Sequence, residues 1–154
     1  MRSKTPISVE VVPPEDRDAE ALIAELDAYL NPLYPPESQH GLDVASLGAA
    51  HITFFIARHK GRPVGCGGLK QFNNYGELSR LYVRPQSRGL GIAQAILESV
   101  EKLARDAGLK LVRLETGNLQ PEALAFYHSA GYRKRSPFGA YRPHPNCIFM
   151  EKVL

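Results

Sequence analysis

A turn with two glycines, placed between a strand and a helix, is the feature that most constrains this chain. The apolar stretch Leu81-Tyr82-Val83 leads into the turn, and Gly89 and Gly91 stand at its end. Apolar residues then recur at spacings of three and four, which predicts an amphipathic helix: Ile92, Ile96, Val100, Leu103 and Ala107. Glycines at a helix start let a ligand approach backbone N–H groups that have no partner within the helix. With the helix dipole behind them, these donors favour a phosphate or a diphosphate.

The motif in this turn differs from the two common nucleotide-binding loops. The dinucleotide fingerprint requires G-x-G-x-x-G, and a Walker loop requires Gly-Lys followed by Ser or Thr; the chain contains neither. The order found here is Q-x-x-G-x-G, from Gln86 to Gly91. Arg84 and Arg88 flank the turn and are expected to add positive charge. A strand-to-helix turn without a ligand is the simpler interpretation of this motif alone.

A second motif lies further along the chain. A strand predicted at 111–116 is followed by Asn118, and Pro121 and Gly131 are placed to begin and end a short helix that carries Tyr127. Together the two motifs resemble those of the GCN5-related N-acetyltransferase (GNAT) superfamily, and the resemblance extends to the C terminus. It implies an acetyl-CoA-dependent N-acetyltransferase.

The expected fold is a mixed α/β sheet, and the order of the predicted elements supports the same class. Strands are predicted at 7–12, 51–58, 62–72 and 75–84, helices at 19–30 and 42–47, and further strands at 132–134 and 147–153. Strands thus first follow one another and then alternate with helices, as in such sheets. The resemblance adds a mostly antiparallel sheet with a parallel, splayed pair of strands and flanking helices. A single N-acetyltransferase domain is expected over residues 1–154, with residues 1–6 as a flexible tail.

The resemblance also implies how acetyl-CoA is held. The turn and helix start would bind its pyrophosphate through Arg88, Gly89, Leu90, Gly91, Ile92 and Ala93. Pantetheine would lie along the preceding strand and contact the second motif, at Leu81, Tyr82, Val83, Asn118 and Tyr127. One backbone N–H of that strand would polarise the thioester carbonyl, which is a role that side-chain identity cannot reveal.

Two side chains are the predicted catalytic groups. Tyr127 is expected to protonate the leaving thiolate, since a phenol with a pKa near 10 keeps its proton at pH 7; packing against the sheet is the alternative. Glu77 lies four residues before Leu81 and hence is expected on the same strand face. The resemblance implies that a Glu on this strand deprotonates the acceptor, usually through a water. An exposed charge paired with Arg80 is the alternative role for Glu77, and Glu115 is a second candidate base.

Two long segments rich in Pro and aromatic residues remain for the acceptor, at 31–40 and 136–146. Proline makes such segments rigid, so a compact pocket for a small-molecule primary amine is expected. Its predicted walls are Tyr34, His40, Phe138 and Tyr141, and His51 is a further candidate. Acetylation of a protein N-terminus or lysine, and a catalytically silent acetyl-CoA-binding module, are the alternatives.

Composition limits the partners. The net charge of +3 is spread along the chain, which argues against a nucleic-acid partner, and no run of 18 apolar residues suggests a membrane span. The two cysteines form neither a disulfide framework nor a C-x-x-C metal pair, so no metal and a cytoplasmic location are expected. A homodimer stays possible.

Overall fold

The computed structural model describes residues 6–13, 15–35 and 52–154. The strands of its sheet are β1 (Ile7–Val12), β2 (Ile52–His59), β3 (Arg62–Gln71), β4 (Gly76–Val83), β5 (Leu111–Gly117), β6 (Arg133–Arg135) and β7 (Cys147–Val153). The helices are α1 (Arg17–Leu30), α2 (Ile92–Asp106) and α3 (Pro121–Ser129), and a single 3-10 turn, Pro85–Ser87, precedes α2.

The predicted elements are found with ends shifted by one or two residues. The predicted strands at 7–12 and 147–153 coincide with β1 and β7. Helix α1 begins two residues before the predicted Ala19, because the Asp16 carboxylate accepts hydrogen bonds from the N–H groups of Asp18 and Ala19. The short helix predicted at 42–47, together with His40 and His51, lies outside the described residues.

The seven strands form one sheet in the order β1-β2-β3-β4-β5-β7-β6. Every neighbouring pair is antiparallel except β4 and β5, which run parallel. This mixed sheet with flanking helices confirms the predicted fold class. The β4–β5 pairing covers only Gly76–Leu78 against Val112–Leu114, so the two strands separate beyond Leu78.

Helices cover both faces of the sheet. Helix α1 buries Leu22, Ile23 and Leu26 against one face, where they meet side chains of β2 and β3. Helices α2 and α3 cover the other face with the larger cluster, which includes Ile96, Val100 and Tyr127. The apolar spacing read from the sequence of α2 therefore corresponds to its buried stripe.

A β-bulge in β4 lies where that strand leaves β5. Gly68 is opposite Ser79 and Cys66 is opposite Tyr82, so Arg80 and Leu81 together face the single residue Gly67. Arg80 has a left-handed backbone, with φ at 58°. The extra residue reverses the alternation of side chains, and Leu81 packs with the α2 cluster as Leu78 does.

The bulge overturns one expectation about Glu77. Four residues separate it from Leu81, and in a regular strand both side chains would share a face. Leu81 instead shares its face with Leu78, whose neighbour Glu77 points to the opposite face, the one covered by α1. The expectation of a shared face was wrong because it assumed an unbroken period of two.

Within the described part of the chain, none of the helices has the length and apolar character needed to cross a membrane.

Candidate active site

The two-glycine turn and the start of α2 line a cavity of about 510 Å³, which we call the turn cavity. Eight of the residues predicted to bind the coenzyme line it, in addition to Tyr127: Leu81, Tyr82, Val83, Arg88, Gly89, Gly91, Ile92 and Ala93. Gln94, Gln120 and Phe126 complete much of the wall. The fold thus brings together predicted residues from β4, α2 and α3.

The glycines of the turn suit a ligand rather than a packed core. Gly89 and Gly91 have φ values of 81° and 80°, and a Cβ built on either would have no atom within 4 Å. Their backbones therefore border open space, and bulkier residues would be strained there. Gly91 caps α2 without a side-chain hydrogen bond, and no acidic residue occupies the first helical turn. An anionic group fits this helix start.

Three residues near the turn differ from the expectation. Arg84 is held by Glu25 at 2.7 Å and by the carbonyl of Pro63 at 2.9 Å, so it does not line the turn cavity. Leu90 is 49% exposed and also lies outside the cavity lining. Asn118 is exposed, and its N–H donates to the carbonyl of Asn146 at 3.0 Å. Among the described residues, Arg88 is consequently the arginine that lines the turn cavity.

A second cavity, of about 330 Å³, opens between β4, β5 and α1, and we call it the central cavity. It shares Leu81, Gln120, Ala123 and Tyr127 with the turn cavity, so the two adjoin where β4 and β5 separate. Both predicted carboxylates line it, as do two of the predicted wall residues, Tyr34 and Tyr141.

Glu77 and Glu115 are carboxylates of the same cavity, and the charge of Glu77 acts on Glu115. Both side chains lie on the α1 face of the sheet. Glu77 points away from the face on which its neighbour Leu78 packs with α2. Glu115 is paired with Phe149 of β7, whose ring belongs to a separate cluster from that of α2. Burial, and next the negative charge of Glu77, raise the pKa of Glu115 to about 7. Burial also raises the pKa of Glu77, against which a hydrogen bond donated by the Tyr141 hydroxyl acts. A carboxyl group with a pKa near 7 is suited to accept a proton at neutral pH.

Tyr127 lies at the junction of the two cavities. Its ring is 7% exposed and packs edge-on to Tyr132, with 5.9 Å between the ring centroids. Burial, with a contribution from Glu115, raises the pKa of its hydroxyl, so the phenol holds its proton at neutral pH. Among the described residues, this hydroxyl has no hydrogen-bond partner. Tyr127 is therefore both a packed residue and one that faces the cavities.

Tyr34 and Phe138 differ from the predicted walls of an acceptor pocket, since Tyr34 is anchored by hydrogen bonds and Phe138 is buried. The Tyr34 hydroxyl accepts from the Leu119 N–H at 3.0 Å and donates to the Gln120 side chain at 3.2 Å. A Cβ at Gly117 would lie 2.0 Å from that hydroxyl, so only glycine admits the ring. Phe138 is 4% exposed and packs edge-on against Tyr141, outside both the central cavity and the turn cavity. His40 lies outside the described residues.

Several lining residues were missed by the sequence reasoning. Gln120, at the start of α3, lines both cavities, and Ser79 and Asn146 line the central one. The Ser79 Oγ is buried with no hydrogen-bond partner among the described residues. Gln120 lies two residues after Asn118 in the second motif, so the motif could have indicated it. No motif includes Ser79 or Asn146.

Comparisons with known proteins agree with this geometry. The profile of the Acetyltransferase (GNAT) family matches residues 20–132. A protein of Azospirillum brasilense named IAA acetyltransferase is 46% identical over 135 residues, covering 86% of this chain and 88% of its own. A Klebsiella pneumoniae structure assigned as an acyl-CoA N-acyltransferase has a TM-score of 0.83 at 32% identity, with 98% and 99% coverage.

A more distant structure shows the same fold. The PaiA N-acetyltransferase of Thermoplasma acidophilum, solved with coenzyme A, has a TM-score of 0.74 at 20% identity, and the likeness covers 97% of this chain and 99% of that one. The family match makes acetyl-CoA the co-substrate of this chain, and the open glycine backbone at the start of α2 fits its diphosphate. This acetyl-CoA-dependent acetyltransferase belongs to the GNAT family.

Proposed function

We propose that the chain transfers the acetyl group of acetyl-CoA to the primary amine of a small molecule, by direct attack within a ternary complex. The observation that carries the proposal is the meeting of two cavities at Leu81 and Tyr127. One cavity has the open helix start suited to a diphosphate, and the other contains the carboxylates of Glu77 and Glu115. Acetyl-CoA supplies the thioester carbon that the amine attacks.

The turn cavity is the proposed coenzyme site. The free N–H groups at the start of α2 and the charge of Arg88 would bind the diphosphate. The edge of β4 that no longer pairs with β5 leaves backbone groups near Leu81 and Val83 for pantetheine and for the thioester oxygen. A backbone donor aimed at that oxygen contributes about 3 kcal/mol of transition-state stabilisation in other enzymes.

The Glu77–Glu115 pair is the proposed proton acceptor. An aliphatic ammonium has a pKa near 10, so the acceptor must lose a proton before it attacks. The pKa of about 7 at Glu115 means that this carboxyl group can take up one proton near neutral pH. When both are ionised, their negative charge also favours an ammonium in the central cavity.

Tyr127 is the proposed proton donor to the leaving thiolate. It lines both cavities, and its pKa is raised, so it carries a proton at the working pH. Its fixed position in the core, against Tyr132, would hold the hydroxyl in place.

A small acceptor is favoured over a protein segment by the size of the central cavity, about 330 Å³. Tyr34 and Tyr141 narrow it, and both rings are anchored by hydrogen bonds, Tyr34 to Leu119 and Tyr141 to Glu77. Acetylation of a protein N-terminus or lysine is the alternative, and it requires room for a backbone.

Release of the coenzyme A thiol tests the proposal. The protein is mixed with acetyl-CoA and a panel of amino acids, polyamines, aminoglycosides, amino sugars, peptides and the IAA that names the Azospirillum brasilense relative. We expect thiol release that depends on a small primary amine and yields its N-acetyl derivative by mass spectrometry. Release with peptides alone would replace the small-molecule acceptor by a protein one.

A further inference from the structure

A third cavity, of about 500 Å³, lies beyond the central one, and we call it the loop cavity. It is formed by the end of β3, the start of β4 and the segment 139–144. Glu77 and Tyr141 line both the loop cavity and the central cavity, so this pair forms the partition between them. A molecule whose amine reaches Glu77 from the central cavity therefore has its remaining atoms next to the loop cavity.

The described lining of the loop cavity is positively charged. Lys70 and Arg142 contribute two cations, and Glu77 at the partition is the one acid in that described lining. Neither cation forms an ion pair with a described residue, in contrast to Arg84 with Glu25 and Arg113 with Glu151. Lys70 instead lies over the ring of Phe72, with 5.2 Å from Nζ to the centroid. Among the described residues, the lining of the loop cavity thus combines two cations with one carboxylate, and its net charge stays positive when Glu77 is ionised.

The strand register sets the distance between this charge and the partition. Lys70 and Glu77 are directly opposite each other on β3 and β4. Such partners share a face and have Cβ atoms about 5 Å apart. A ligand with an amine at Glu77 and an anion at Lys70 would need the two groups only a few bonds apart.

His144 adds a directed donor to the same cavity. Its Nδ1 accepts a hydrogen bond from the Asn146 N–H at 3.1 Å, which fixes that ring nitrogen as the acceptor. In the neutral ring, Nε2 then carries the proton and can donate. Lys70, Arg142 and His144 together resemble a set of donors for one anionic group.

We propose that the acetyl acceptor carries an anionic group close to its amine, and that Lys70, Arg142 and His144 bind this anion in the loop cavity. The inference rests on the proposed transfer to a small amine and narrows it to short amino acids or aminoalkyl phosphates. Carboxylate and phosphate present the same acceptor chemistry to these donors.

Short acceptors with and without the anion test the site. We compare β-alanine with n-propylamine, and O-phosphoethanolamine with ethanolamine, by thiol release from acetyl-CoA. The acidic partner of at least one pair is expected to have a kcat/KM roughly 10-fold or more above its neutral partner, because hydrogen bonds to charged groups are the stronger ones. The pair that shows the larger preference distinguishes carboxylate from phosphate. Equal kcat/KM within both pairs overturns the proposal.

Lys70→Gln and Arg142→Gln separate anion binding from an effect on Glu77. Lys70 also acts on the pKa of Glu77, which would alter turnover of acidic and neutral acceptors alike. Anion binding predicts instead that KM rises for the acidic acceptor and stays unchanged for the neutral one. Lys102→Gln is the matched control, since it removes one positive charge from α2, where Lys102 pairs with Asp106 and lines none of the three cavities.

A binding measurement distinguishes failure of this site from failure of the proposed function. Protein saturated with coenzyme A is titrated calorimetrically with N-acetyl-β-alanine and with N-propylacetamide. Binding of the acid alone, weakened roughly 10-fold by Lys70→Gln, supports the anion site even if no amine in the panel is acetylated. Equal binding of both compounds, or no binding of either, overturns it even if neutral amines are good acceptors.

Discussion

The Arg80 guanidinium donates a hydrogen bond to the Asp27 carboxylate, and this contact ties the bulge of β4 to helix α1. The side chain of Arg80 is 9% exposed, so the ion pair is partly shielded from water. Its left-handed backbone costs roughly 1–2 kcal/mol for a residue other than glycine. The pair with Asp27 helps to hold this conformation at the point where β4 separates from β5 and the cavities meet.

Asp27→Asn is expected to lower kcat/KM for acetyl transfer about 10-fold, since a displaced bulge would misplace the backbone near Leu81. Steady-state kinetics with acetyl-CoA and an accepted amine measure this. Asp18→Asn is the matched control: Asp18 lies on the same helix, is similarly exposed and pairs with Arg58 at 3.0 Å. Equal losses in the two variants would assign both ion pairs to stability alone.

Gly89→Glu and Gly91→Glu are expected to weaken acetyl-CoA binding at least 10-fold, because each places bulk and negative charge at the start of α2. Isothermal calorimetry gives the Kd. Gly108→Glu is the control, since Gly108 has the same φ of 80° and an equally open Cβ position beyond the other end of α2. Affinity that stays at the parent value in either turn variant would contradict the placement of the diphosphate.

Tyr127→Phe is expected to lower kcat roughly 10- to 100-fold and to leave the Kd of acetyl-CoA nearly unchanged, since the hydroxyl is proposed to act on the leaving group alone. Tyr132→Phe provides the contrast. The Tyr132 hydroxyl donates to Glu101 at 2.9 Å, so its loss is expected to lower the free energy of unfolding by about 1–2 kcal/mol with kcat retained. An unchanged kcat in Tyr127→Phe, with chemistry rate-limiting, would leave Tyr127 as a packing residue.

Much of this arrangement follows from the sequence, and the exceptions have local causes. The glycine turn, the α2 stripe and the position of Tyr127 are set by short-range patterns, which survive in the fold. The face of Glu77 was mispredicted because a bulge in β4 has no marker in the sequence around Arg80. Arg84 is withdrawn by Glu25, a partner 59 positions away, and contacts at such separation are invisible to motif analysis.

The pH–rate profile of kcat/KM is expected to rise with pH through about 7, since the base must be ionised and the pKa of Glu115 is raised to about 7. Glu115→Gln removes the group with the pKa of about 7, so the rise of kcat/KM through that pH should be lost. Glu77→Gln should move the limb, because it removes the charge acting on Glu115. An acidic limb unchanged in both variants would place the base elsewhere.

The pH dependence of the free energy of unfolding tests the raised pKa of Glu115 independently of catalysis. Its pKa in the folded chain lies above the value of 4.5 for an unperturbed Glu, so the folded state holds more protons between those pH values. The free energy of unfolding should therefore fall as pH rises from 4.5 to about 7, by up to about 3 kcal/mol. Urea unfolding at several pH values should show a smaller fall in Glu115→Gln; an identical fall would mean that this carboxyl is not perturbed.

Tyr141 and Phe138 adjoin in one aromatic cluster, with 5.1 Å between ring centroids, yet they are expected to respond differently to truncation. Tyr141→Ala should raise the acceptor KM and spare the KM of acetyl-CoA, because Tyr141 lines the central and loop cavities and holds Glu77. Tyr34→Ala should raise the same KM, with an added loss of stability from its bonds to Leu119 and Gln120.

Phe138→Ala should instead cost about 3 kcal/mol or more of unfolding free energy, since its ring is 4% exposed among Tyr75, Tyr141 and Phe149. Its acceptor KM should change less than that of Tyr141→Ala, because Phe138 lines none of the three cavities and lies behind the rings of Tyr141 and Tyr75. Thermal or urea unfolding, combined with acceptor kinetics well below the transition, separates the two effects. If Phe138→Ala remained fully folded and raised the acceptor KM as much as Tyr141→Ala, Phe138 would itself be a wall of the acceptor pocket.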